Sequence, residues 1–156
     1  MDEKKLLKYA VDYLSKYNSS KVNLVNVLKR KILRLKTTNY EKRKLINIIE
    51  SIIIKLEKNK FIDDNRYSST KILSLSNSGK SKNFIFNYLI KKGVNKTQIQ
   101  NNLNLMQRDN DNWELNSAKI FAKKKKLLEK DQSYEKNLAK MARAGFSYDI
   151  CKKILG

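Results

Sequence analysis

Gly79-Lys80-Ser81, inside "SNSGKSKNF", has the tail of a phosphate-binding loop, in which backbone N–H groups cradle phosphates and a lysine neutralises them. The full pattern needs a glycine five residues before Gly79, where Ser74 stands. It also needs a strand leading in, and the lead-in has helical spacing. The tripeptide therefore reads as a corner between helices. Asp63 and Asp64 are adjacent carboxylates before "NRYSS". General acid–base work would need a pocket and a partner, and neither is visible. At a helix start, aspartate instead accepts backbone N–H groups and favours the positive end of the dipole. Cys151 falls on an apolar helix face, the place of a buried free thiol rather than a nucleophile. Trp113 follows Asn112 at a helix start and reads as a core or staple residue rather than a base-stacking platform. With no His and one Cys, Cys/His zinc sites, intrachain disulfides and His-dependent triads are excluded. No catalytic residue, cofactor or metal is expected.

Charge is the stronger signal. The 156 residues include 35 Lys and Arg against 15 Asp and Glu, a formal net charge of +20. That excess points to a polyanionic partner or an acidic protein surface, the alternative being a composition bias toward Lys, Asn and Ile that supplies much of the charge. The candidate contacts fall in clusters. Lys29, Arg30, Lys31, Arg34 and Lys36 come first, followed by Lys42, Arg43 and Lys44. Lys80, Lys82, Lys91 and Lys92 bracket a middle corner. Lys123, Lys124, Lys125 and Lys126 form a run, and Lys136, Lys140 and Arg143 follow it. A lysine run is ordinarily a solvated face. Clusters recurring at equivalent points of a repeated unit would instead align as a stripe. Such a stripe binds phosphates by counterion release, with steep salt dependence and little sequence preference.

The elements that must carry these residues are helices. Proline is absent and glycine occurs four times, too few turn residues for a sheet-rich fold. Leu6, Ala10, Tyr13 and Tyr17 share one helical face; Leu24, Leu28, Ile32 and Leu35 form a second stripe. "KLINIIESIIIKLEKNKF" puts Leu45, Ile49, Ile52 and Leu56 on one face of a third, well-buried helix. Further helices are expected near 66–76, 84–92, 97–106, 113–128, 134–143 and 148–155. The chain is thus all-α, with nine helices in three groups of three.

Two stretches, "LIKKGVNKTQI" and "MARAGFSYDIC", share their punctuation. Gly93 and Gly145 stand where a helix ends in the left-handed conformation. Val94 and Phe146 supply the apolar residue after the cap, and Asn95 and Ser147 cap the next helix. The same corner is built twice. In the first group Leu28 and Ile32 take the places of Leu89 and Gly93, and a longer connection, "RLKTTNYEKR", replaces the corner. The expectation is three tandem three-helix repeats, over 1–62, 63–108 and 109–156, stacked as an elongated, curved array with an open concave side.

These motifs resemble the RecX family of regulatory proteins over about residues 5–155. "NKFIDDNRYSSTKILS" is similar to that family's junction between its first two repeats, with Phe61, Ile62, Asp63, Asp64, Arg66 and Tyr67 at the signature positions. "YLIKKGVNKTQIQNNL" resembles its helix–Lys-Gly–helix corner, "NWELNSAKIFAKKK" its aromatic-led seventh helix, and "ARAGFSYDICKKIL" its C-terminal repeat. Two departures stand out: Ser81-Lys82 where the family commonly has Gly-Pro, and Ile32 where a glycine is expected. The resemblance implies three tandem three-helix repeats that bind the recombinase RecA. It implies lodging along the groove of the RecA filament on single-stranded DNA, or at its growing end. Lowered ATPase, strand exchange and co-protease activity of the filament would follow. The alternative is a nonspecific, basic nucleic-acid-binding helical module that acts without RecA.

No apolar run approaches the roughly 20 residues of a membrane-spanning helix, and "MDEKKLLKY" lacks the apolar core of a signal peptide. A monomeric, cytoplasmic protein is expected.

Overall fold

The computed structural model describes residues 1–129 and 133–156. The described residues form helices and no strands: α1 (Glu3–Lys16), α2 (Lys21–Leu33), α3 (Asn39–Asn47), α4 (Ile49–Lys58), α5 (Asp64–Asn77), α6 (Lys82–Lys91), α7 (Lys96–Asp109), α8 (Trp113–Lys124), α9 (Tyr134–Arg143) and α10 (Tyr148–Leu155). Short polar side chains start most of them. Asp2, Ser20, Thr38, Asn95, Ser133 and Ser147 each accept a backbone N–H from the first turn that follows. Asp63 accepts from Asn65 and Arg66 at the head of α5, and Ser81 from Phe84 at the head of α6. These caps satisfy N–H groups that have no partner inside the helix.

Three expectations need correction. Within the "RLKTTNYEKR" connection, only the stretch after α2 is irregular; Asn39 to Arg43 is helical because Thr38 caps it, accepting from the Glu41 N–H at 3.2 Å. The long third helix is divided at Ile48, giving ten helical segments among the described residues. Tyr17 leaves the first apolar stripe: α1 ends at Lys16, and Tyr17 is extended (φ −131°, ψ 130°) and 56% exposed.

The chain forms two compact units, which interleave in sequence: Met1–Tyr67 with Lys92–Val94, and Ser68–Lys91 with Asn95–Gly156. The first is built on Leu6, Leu24, Leu28, Ile32, Ile49, Ile52, Leu56 and Ile62, all buried. In the second, Ala118, Ala122, Leu127, Met141, Phe146 and Cys151 form one core cluster, with the Phe121 and Phe146 rings 5.5 Å apart. Burial of this apolar surface stabilises each unit.

Both units contain the same joint. In the first, the Ser20 hydroxyl caps α2 and donates at 2.5 Å to the carbonyl of Lys92, 72 residues on. The next N–H, of Lys21, donates to Asp64 Oδ1 at 2.8 Å. Gly93 lies against Val22, with φ +79°. In the second, the Ser81 hydroxyl caps α6 and donates at 2.7 Å to the carbonyl of Ala144, 63 residues on. The Lys82 N–H donates to Glu114 Oε2 at 2.8 Å. Gly145 lies against Ser81 and Asn83, with φ +97°. Gly145 also ends α9 with the pair of bonds characteristic of a left-handed cap, its own N–H to Ala142 O and that of Phe146 to Met141 O. Any side chain at Gly93 or Gly145 would strike the capped helix start, so close approach as well as φ requires glycine there.

Candidate functional site

The residues that suggested catalysis are occupied structurally. Gly79 is buried with backbone of Phe121 behind it: a Cβ there would lie 2.9 Å from the Phe121 nitrogen. The Lys80 carbonyl accepts the Ser117 hydroxyl, and the Ser81 hydroxyl is committed to Ala144 and Phe84. The Gly-Lys-Ser corner therefore joins helices, as its truncated pattern suggested. Asp63 and Asp64 divide two tasks. Asp63 caps α5, whereas Asp64 reaches the start of α2, a role its spacing did not reveal. Half-buried there, Asp64 has its carboxyl pKa raised by desolvation, against the opposing pull of the Lys21 N–H and ammonium. Lys21 itself pairs with Glu57 at 2.8 Å. Arg66 is exposed and Tyr67 is buried. Cys151 is fully buried, its thiol pKa raised by desolvation, and Trp113 is 2% exposed, so neither is a surface reagent or platform. No cluster of three or more His, Cys, Asp or Glu fit for a metal occurs among the described residues. None of their helices is long and apolar enough to cross a membrane.

The basic residues are mostly at the surface. In the first unit, Lys29, Arg30, Arg34 and Lys36 are exposed, and Lys31 is half-buried with its ammonium 5.0 Å from the Tyr9 ring centre. Lys42, Arg43 and Lys44 lie within α3 rather than ahead of it. Lys42 donates to the Leu33 carbonyl at the end of α2, and Lys44 sits over Tyr40. Lys92 is half-buried at the Gly93 corner.

In the second unit the fold gathers basic residues into two grooves. The run Lys123 to Lys126 is split by the end of α8. Lys126 adopts φ +57°, and Lys124 turns to the Ser78 carbonyl at 3.0 Å. Lys123 and Lys126 line a groove of about 520 Å³ with Lys119, Lys153 and Glu129, over an apolar floor of Ala122, Leu128 and Ile154. Lys119 stands alone in the sequence and Lys153 belongs to a short Lys152–Lys153 pair, so neither was singled out; α8 packing on α10 brings them in. The second groove, about 300 Å³, unites Lys91 and Arg143, far apart in the chain, beside Phe84, Tyr88, Asn83 and Asn87. Lys80 stands over Phe84 at 4.7 Å from the ring centre, and Lys82 and Lys140 are exposed.

The fold and this surface define a class: small, all-helical, strongly basic proteins whose short polar motifs join helices. Comparison with known proteins gives the family. No family model matches the chain. It is 30% identical over 154 residues to the regulatory protein RecX of Myxococcus xanthus strain DK1622, covering 94% of this chain and 81% of that one. It also resembles the crystal structure of RecX from Lactobacillus salivarius, with TM-score 0.70, 22% identity, and 97% and 93% of the two chains covered. A second RecX crystal structure matches with TM-score 0.70 and 22% identity over 96% of this chain and 70% of that one. The chain belongs to the RecX family of regulatory proteins.

Proposed function

We propose that this chain binds RecA on single-stranded DNA and lowers the ATPase, strand-exchange and co-protease activity of the filament. Membership of the RecX family carries this reading. The +20 charge and the two basic grooves support it, since a RecA–DNA filament offers phosphate and acidic protein together. The protein acts by binding, as a cytoplasmic monomer without cofactor, and performs no chemistry itself. Its body is three tandem repeats, 1–62, 63–108 and 109–156. The recurrence of one joint at Ser20–Gly93 and Ser81–Gly145 supports that division. Contacts to filament protein or DNA come from Lys29, Arg30, Lys31, Arg34, Lys36, Lys80, Lys82, Lys91, Lys92, Lys123 to Lys126, Lys140 and Arg143, joined by Lys119 and Lys153.

The test is RecA's DNA-stimulated ATPase titrated with the protein. Dose-dependent loss is expected, weakened by K123E/K126E and, separately, by R30E/K31E/R34E. Saturating protein that leaves ATPase and strand exchange unchanged refutes the reading. Retention of RecA in a pull-down after nuclease treatment separates it from a DNA-binding module that ignores RecA.

A further inference from the structure

The groove between α6 and the Gly145 corner sets an open aromatic ring among basic residues. Phe84 is 40% exposed although it belongs to a helix whose Ile85 and Leu89 are fully buried. Its ring stacks near-parallel with Tyr88, centres 6.4 Å apart and planes at 22°. Lys80 stands on Phe84, while Lys91 and Arg143 lie in the same groove. The floor is rigid: the Ser81 hydroxyl holds the Ala144 carbonyl and the Asn83 amide holds that of Gly145 at 3.2 Å.

We propose that Phe84, backed by the Tyr88 ring that Lys71 covers, forms a stacking platform for an unpaired base of single-stranded nucleic acid, with Lys80, Lys91 and Arg143 binding the flanking phosphates. This deepens the RecA–DNA reading above and rests on it for the presence of single-stranded DNA. An exposed phenyl ring costs hydration and gives nothing to the core, but it offers a π-face that every base can use. Stacking on such a ring outweighs an exposed cation–π contact, so the base displaces Lys80 onto a phosphate. A duplex keeps its base faces covered and cannot use the ring. Cations around an aromatic face suit a strand that alternates base and phosphate better than an acidic peptide, which has carboxylates and no π-face to match.

The test compares fluorescence anisotropy of a labelled oligothymidylate with that of an abasic strand of equal length, using the full-length protein. Wild type is expected to bind oligothymidylate about tenfold more tightly than the abasic strand, the scale of one stacked base. F84A abolishes that preference and leaves abasic binding and its salt slope unchanged, whereas K91E/R143E weakens both strands. F84W keeps the preference, and its indole emission falls on binding. F84A with unchanged circular dichroism and an intact preference overturns the site, as does wild type that binds both strands equally or binds neither. RecA ATPase measured on the same samples separates the two readings. Inhibition without a base preference removes the stacking site alone. A Phe84-dependent preference without inhibition removes the RecA reading alone.

Discussion

Replacing Gly93 by alanine tests the joint most directly. The new Cβ would lie 2.5 Å from Val22 Cγ2 and 2.7 Å from Cγ1, and closer still to Val22 Cβ. None of these is the end of a long, mobile side chain, so backbone must move. At φ +79° an L residue adds about 1–2 kcal/mol of strain. Overpacking against a fixed Val adds about 1–3 kcal/mol. Separation of the corner also loses the Ser20–Lys92 hydrogen bond, about 1 kcal/mol. The total, about 3–6 kcal/mol, is a large part of the stability of an ordinary domain. G145A should cost less, about 2–4 kcal/mol, because its Cβ meets Ser81 Oγ, which can rotate away at the loss of its bond to Ala144. Gly156 has φ +92° but nothing within 4 Å, so G156A is the control. The assay is urea unfolding followed by far-ultraviolet circular dichroism, with midpoints compared at constant slope. The expected order of loss is G93A, then G145A, then G156A. A loss below about 1 kcal/mol for G93A would refute the close-packed joint.

Further expectations follow from other residues. Asp64→Ala strands the Lys21 N–H and costs about 1–2 kcal/mol, while Asp64→Asn, which still accepts, stays near wild type at neutral pH. A raised carboxyl pKa means that the folded chain holds the proton more tightly, so wild type loses stability relative to D64N as pH rises from 3.8 through the raised value. A flat difference in urea midpoint across that window would contradict it. Lys60, at φ 60°, occupies a left-handed position without glycine, so Lys60→Gly should raise stability by about 0.5–1 kcal/mol in the same assay. Cys151 should resist a disulfide reagent until the chain unfolds; rapid labelling of native protein would place the thiol outside the core.

What the sequence made legible was local. The Gly93 and Gly145 corners, the Asn95 and Ser147 caps and the burial of Trp113 and Cys151 all follow from residues within a few positions of one another. Tertiary pairings left no such trace. Ser81 looked like a broken phosphate loop because its partner, Ala144, is 63 residues away. Lys119 and Lys153 come together with Lys123 and Lys126 only when α8 meets α10. Phe84 read only as the start of a short helix, because hydrophobicity alone does not tell which of its apolar side chains stays open. Thr38 was overlooked as a helix start because the basic residues after it looked like a connecting loop.

The order in which the chain is made gives the interleaved units a consequence. As the ribosome releases α2, the Ser20 hydroxyl emerges 72 residues before the carbonyl that it will hold. The first unit is incomplete at Tyr67 and gains its last residues only when Lys92–Val94 appears, after α6 has already been synthesised. A nascent chain halted between those points has its helices but not the clasp, and leaves Val22 without the glycine that seats against it. A chain terminated between those points would lack the Gly93 corner and with it the Ser20–Lys92 hydrogen bond.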